Sequence, residues 1–127
     1  MGDWILLVED DPLIASSLAR LVRRRTGLRA RTVREAEEYL AVLHEEGCSP
    51  RAAVLDHDLG PGRADGVELL VALREAVPFA CLAFHTATPE RDLLEALRRR
   101  GVLDPPPCFS KPSGAEPLLR WLSDLRR

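Results

Sequence analysis

Ala52-Ala53-Val54-Leu55-Asp56-His57-Asp58, near the middle of the chain, is a short apolar run that ends on acids. Trp4-Ile5-Leu6-Leu7-Val8 likewise runs into Glu9-Asp10-Asp11. Cys81-Leu82-Ala83-Phe84 leads through His85 to Thr86, and Cys108-Phe109-Ser110 leads to Lys111. If these runs are neighbouring parallel strands, their carboxyl ends share one rim, where open α/β sheets bind ligands. Lys111 is the only lysine, and arginine supplies every other basic side chain apart from histidine. A compact, flexible point charge is not equivalent to a guanidinium, so that single lysine marks a site.

Outward from these runs the pattern alternates strand and helix. Strands are expected at about Trp4 to Val8, Arg29 to Val33, Ala52 to Asp56, Ala80 to His85 and Cys108 to Ser110. Helices are expected at about Pro12 to Thr26, Glu35 to Glu46, Gly66 to Ala76, Pro89 to Arg100 and Pro117 to Arg126. In the first helix Leu13, Ile14, Ser17, Leu18, Leu21 and Val22 recur at helical spacing and form one apolar face. Asp11-Pro12 reads as an N-cap followed by proline in the first turn, and Thr88-Pro89 repeats the device. Gly27 and Gly101 read as C-terminal stops. Such alternation implies crossover connections and an α/β fold, a doubly wound five-stranded parallel sheet with helices on both faces.

Size and composition bound the function. The 127 residues fit one domain, 1–127, with 46% hydrophobic and 30% charged residues, as in an ordinary globular protein. A net charge of -2 gives no indication of bulk nucleic-acid binding. The arginine clusters at 23–25, 98–100 and 126–127 read as solvated helix ends that complement the helix dipole. Cys48, Cys81 and Cys108 lack metal-ligand spacing; Cys81 and Cys108 are expected to be small buried hydrophobes in strands. Free thiols, and the absence of a signal-like or membrane-length apolar segment, point to a cytoplasmic protein with no membrane contact.

At the shared rim, clustered carboxylates repel one another unless one is protonated or a cation is present. Their hard oxygen donors suit Mg2+. Glu9, Asp10 and Asp56 would form the pocket, with Lys111 and the Thr86 hydroxyl facing phosphoryl oxygens. A carboxylate held there can act as a nucleophile and form an acyl phosphate. Asp11 reads as a helix cap, His44 as exposed, and His57 and His85 as turned away from the rim or into packing, outside the chemistry.

With the segments LLVEDDPLI, AVLDHDLGPGRADGVELL, FHTATPE and FSKP in that order, the chain resembles the receiver domains of bacterial response regulators over nearly its whole length. The resemblance implies a flavodoxin-like sheet of order 2-1-3-4-5. It implies that Asp56 accepts phosphate from a histidine kinase or a histidine phosphotransfer protein. Glu9 and Asp10 would hold Mg2+, with Asp10 the direct ligand, joined by Asp56 and the backbone carbonyl of Asp58. Thr86 would be the switch hydroxyl, Ala87 would leave access to it, Lys111 would pair with the phosphoryl group, and the Lys111–Pro112 peptide would be cis.

This chain departs from the family in two places. The loop His57 to Asp65, with Gly60-Pro61-Gly62-Arg63, is about two residues longer than usual; the Asp58 carboxylate is expected to strengthen cation binding and alter phosphoryl hydrolysis. Cys108 stands where many receivers carry a switch aromatic. The expected activity is a self-modifying switch rather than a turnover enzyme, with output through a downstream protein effector, a homodimer or onward phosphotransfer and no direct nucleic-acid contact. Two alternatives stay open: a phosphatase of the haloacid-dehalogenase type, from Asp56-His57-Asp58, and a receiver-like interaction module that is not phosphorylated.

Overall fold

The computed structural model describes residues 2–35, 38–57 and 65–126. In chain order the elements are β1 (Trp4–Val8), α1 (Pro12–Thr26), β2 (Arg29–Val33), α2 (Tyr39–Glu46), β3 (Ala52–Leu55), α3 (Gly66–Ala76), β4 (Cys81–Thr86), α4 (Glu90–Arg99), β5 (Cys108–Ser110) and α5 (Glu116–Arg126). All strand pairs are parallel, and the sheet order is β2-β1-β3-β4-β5. The alternating α/β fold and the expected strand order are both present.

Strand alternation builds two cores. Leu6, Val8, Ala53, Leu55 and Phe84 face Val42, Leu70, Leu73, Leu93 and Leu97 of α2, α3 and α4. Ile5, Leu7, Ala52 and Val54 face Leu18 and Val22 of α1 and Leu118 and Leu122 of α5. β1 and β3 are buried throughout, which is why they read as unbroken apolar runs rather than as alternation. Trp4 is buried on the first of these faces and satisfies its indole by donating Nε1–H to the Cys48 carbonyl at 3.2 Å.

The helix ends follow local chemistry, with some shifts from expectation. Asp11 caps α1, its Oδ1 accepting from Leu13 N at 2.9 Å and Ile14 N at 3.3 Å. Gly27 closes α1 at φ 75°, a left-handed conformation that costs glycine little. Thr88 does not cap α4: Pro89 holds the cap position and its carbonyl accepts from Leu93 N at 3.1 Å. The Thr88 N–H is directed instead to Thr86 Oγ1 at 3.2 Å. α2 begins at Tyr39 rather than Glu35, with a turn bond from Glu38 N to Glu35 O before it.

The apolar face of α1 is wider than its core contact. Ala15, Leu18, Val22 and Thr26 are the buried residues, one per turn, whereas Leu13 is 79% exposed and Ile14 and Leu21 also reach solvent. Cys81 opens β4 at the end of the sheet away from the rim and is exposed; Cys108 is half-buried, and burial pushes its thiol up to about 11. The expectation of two buried thiols therefore fails at Cys81, the exposed first residue of β4.

The exposed strand β2 is held to α2 by ion pairs. Arg29 donates to Glu46 at 2.6 and 3.1 Å, and Arg31 adds a bond at 2.9 Å. The hydrogen bond from Arg29, reinforced by Arg31, holds the Glu46 carboxyl down at about 2 against an ordinary 4.5. A depressed carboxylate lends stability that is full above its unfolded pKa and disappears as pH falls through the folded one. Glu46→Gln is therefore expected to flatten the loss of stability between pH 4.5 and 2. Urea midpoints measured across that range check it; an acid limb identical to the parent's would refute the assignment.

Candidate functional site

The strand order reverses at β1, whose two sides pair with β2 and β3. At that switch point the register sets Val8 beside Leu55, so the residues that follow them emerge at one level. Glu9 N donates to Val33 O at 3.0 Å and Asp56 N to Val8 O at 3.2 Å, which fixes the backbone beneath both acids. Glu9 and Asp56 are buried, and Asp10 is half-buried beside them. One carboxylate oxygen from each of Glu9, Asp10 and Asp56 lies within 4.8 Å of the others.

Lys111 enters from the far side of the sheet. It leaves the end of β5, reaches past β4 and places Nζ 2.7 Å from Asp56 Oδ2 and 2.5 Å from Glu9 Oε1. Its four-carbon stem makes that span possible and delivers the charge as a point. Burial works against the Lys111 ammonium, but the hydrogen bonds and charges of Asp56 and Glu9 outweigh it and hold its pKa above the ordinary value. Glu9 is driven the other way by the same site. Burial, with a smaller push from the Asp56 charge, raises its pKa despite bonds from Lys111 and from Asp11 N, the latter at 3.1 Å. Asp10 forms no ion pair among the described residues. Two of the three carboxylates thus share one ammonium, and the third stands beside them, a set of hard oxygens with excess negative charge.

Thr86 is buried at the end of β4, next to β3 in the sheet, with its Oγ1 accepting from Thr88 N. Glu9, Asp10, Asp56 and Lys111 are brought together, and Thr86 sits on the adjoining strand end. Asp58 and the Gly60-Pro61-Gly62-Arg63 stretch lie outside the described residues. The expected cis bond before Pro112 is not present: no peptide among the described residues is cis, and residues 111–113 form a trans 3₁₀ turn closed by Gly114 N to Lys111 O at 2.9 Å. The turn hydrogen bond is compatible with the trans isomer, which is the lower in energy where nothing forces the other.

Sequence reasoning did not find that Lys111 grips Glu9 as well as Asp56, since the pairing depends on strand order rather than on any spacing. His85 is packed into the interior, one of the two placements expected of it. It is buried, neither ring nitrogen has a hydrogen-bond partner among the described residues, and burial followed by the Lys111 charge lowers its pKa. His44 is exposed. No helix among the described residues is long and apolar enough to cross a membrane.

No family model and no curated protein matches this sequence. Solved structures do. The chain is similar to the BeF3-activated N-terminal receiver domain of RstA from Klebsiella pneumoniae, at 22% identity and TM-score 0.78, covering 98% of each chain. It is similar to the receiver domain of NtrX from Brucella abortus, at 24% identity and TM-score 0.76, covering 96% of this chain and 97% of that one. It is also similar to a response regulator from Burkholderia pseudomallei whose structure holds a phosphorylated aspartic acid, a calcium ion and citrate. That match has 22% identity and TM-score 0.77, over 95% of this chain and 66% of the other. Strand order, helix placement and these near-complete superpositions agree: the chain has the flavodoxin-like fold of response regulator receiver domains.

Proposed function

We propose that residues 1–127 form one phosphoacceptor receiver domain of a two-component phosphorelay, in which Asp56 takes a phosphoryl group from a histidine kinase or histidine phosphotransfer protein. The observation that supports this most is the buried Asp56 carboxylate, ion-paired to Lys111 at 2.7 Å with Glu9 and Asp10 beside it. A purely structural ion pair has no need of two further acids. The donor set of Glu9, Asp10 and Asp56 fits a hard divalent cation, and Mg2+ is the one whose preference for oxygen donors, retained water and phosphate suits this rim. Asp10 and Asp56 would be its direct ligands, with Glu9 held back by Lys111 and the Asp58 carbonyl completing the set. Such an ion, when bound, offsets the charge of the phosphoryl oxygens.

The chain's own residues supply the rest. An Asp56 oxygen attacks the phosphorus in line, a P–O bond forms, and the donor's P–N bond breaks with its electron pair left on the imidazole. Lys111 leaves Asp56 for a phosphoryl oxygen while keeping Glu9, so the ammonium stays solvated by charge throughout. The Thr86 hydroxyl turns from Thr88 N to donate to the same group, and that exchange biases a two-state equilibrium. With Cys108 in place of an aromatic, the relay to the β5 face works without a rotating ring. Output passes to a downstream protein effector or through a homodimer, in the cytoplasm and without direct nucleic-acid contact. The neighbour carrying a phosphorylated aspartic acid and calcium supports this reading of the rim. The haloacid-dehalogenase alternative draws no support from the structural neighbours, and the non-phosphorylated module is the outcome that a negative result would bring forward.

Intact mass after treatment with acetyl phosphate and Mg2+ tests the proposal. The expected result is a single added phosphate, lost in hydroxylamine and absent when EDTA replaces Mg2+. Mg2+ alone is expected to raise the unfolding midpoint, because a ligand that binds the folded state stabilises it by mass action. An unmodified mass under all conditions would overturn the phosphoacceptor reading.

A further inference from the structure

The first residue of α3 presses directly on the backbone of Asp56. A Cβ built on Gly66 would stand 2.4 Å from the Asp56 carbonyl oxygen, 2.7 Å from His57 Cα and 3.0 Å from the Asp56 carbonyl carbon. All three are backbone atoms, so no rotamer change can relieve the overlap. Gly66 does not occupy a left-handed conformation, so its requirement is one of space rather than of backbone freedom. Its N–H donates to His57 O at 2.9 Å, tying the helix start to the strand exit. Asp65 caps the same turn, its Oδ1 accepting from Glu68 N at 2.9 Å.

We infer that Gly66 is a positioning residue for Asp56: its missing side chain lets the capped first turn of α3 buttress the strand exit and fix where the Asp56 carboxylate stands. The inference deepens the proposed function and rests on Asp56 being the phosphoacceptor. From below, Asp56 is held by its bond to Val8 O; from the side it is held by Lys111; Gly66 closes the third direction. A methyl group there must move the Asp56–His57 backbone or the whole helix start. The first displacement carries the carboxylate away from Lys111 and the neighbouring acids, and the second pulls the Gly66 N–H from His57 O and removes the support on that side.

Gly66→Ala is the test, with Leu97→Ala as a destabilised control in the distant core. Per folded molecule, Gly66→Ala is expected to label with acetyl phosphate about tenfold more slowly or worse, since misplacing a reacting group by about 1 Å can cost about 100-fold. Leu97→Ala should label at the parental rate. The crystal structure of Gly66→Ala should show the Asp56–Lys111 pair displaced. Parental labelling by Gly66→Ala, an equal loss in Leu97→Ala, or an unmoved pair would each overturn the inference. If Gly66→Ala does not fold, Asp65→Ala decides: loosening the buttress should slow labelling severalfold, and an unchanged rate overturns it. If the parent protein itself does not label, the proposed function fails, and the position of the pair in the variant still decides the role of Gly66.

Discussion

Asp56→Asn is expected to abolish labelling by acetyl phosphate, to below about 1% of the parent, while leaving the fold intact. Asparagine has the same shape but cannot supply the attacking anion, and nucleophile loss removes the covalent route rather than slowing it. Stability should not fall. One carboxylate leaves a crowded acidic set, and Lys111 keeps Glu9 at 2.5 Å. Sites built for chemistry commonly hold charges in arrangements that disfavour the folded state. The check is intact mass beside urea unfolding of both proteins; residual phosphate on Asp56→Asn would place the acceptor elsewhere.

Lys111→Met should cause the largest loss of stability of any single change at the rim. It removes the ammonium from two carboxylates whose side chains are only 5% and 7% exposed. Breaking a buried pair by deleting one partner costs about 3–5 kcal/mol, and the 17% exposure of Lys111 lowers the expectation to about 2–3 kcal/mol. The dependence on pH has a definite sign. Without the ammonium, the folded-state pKa of Glu9, already raised by burial, loses the bond and charge that lower it and rises further above its unfolded value. The folded variant then binds protons more readily than the unfolded chain, so its deficit is full at neutral pH and shrinks as pH falls toward about 4, near ordinary carboxylate values.

The intact protein should behave differently at the alkaline end. The raised Lys111 pKa lends stability that is complete below the ordinary lysine value of 10.5 and is lost as pH climbs through the folded one. Glu9 acts in the opposite sense: its raised pKa means that stability is gained as pH falls through it. Urea midpoints for the parent and Lys111→Met near pH 4, at pH 7 and above pH 10.5 separate these effects. A deficit that is the same at all three would show that Lys111 acts by packing rather than by charge.

The site was legible to different degrees. Glu9, Asp10, Asp56, Thr86 and Lys111 each follow an apolar run, and a parallel sheet must gather the ends of such runs at one rim. Their proximity is therefore a consequence of hydrophobic patterning plus connection geometry. What patterning could not reach was the direction of each side chain. Lys111 could have faced solvent or one acid; it bridges two because β5 lies two strands from β3 and the stem must cross β4. Gly66 read simply as the start of a helix, since nothing in the sequence states how near that helix comes to Asp56.

By itself the sequence determined the alternating elements, the apolar runs of β1 and β3, the cap at Asp11 and the stop at Gly27, all of which depend on neighbours within a few residues. Tertiary structure alone decided which part of the broad apolar face of α1 is buried, that Thr88 N–H turns to Thr86 rather than Thr88 serving as a cap, and which carboxylates share the ammonium. Local propensities act through the chain, within reach of one turn or one strand. Charge pairing and close packing act through space, between residues such as Glu9, Asp56 and Lys111 that only the assembled sheet brings together.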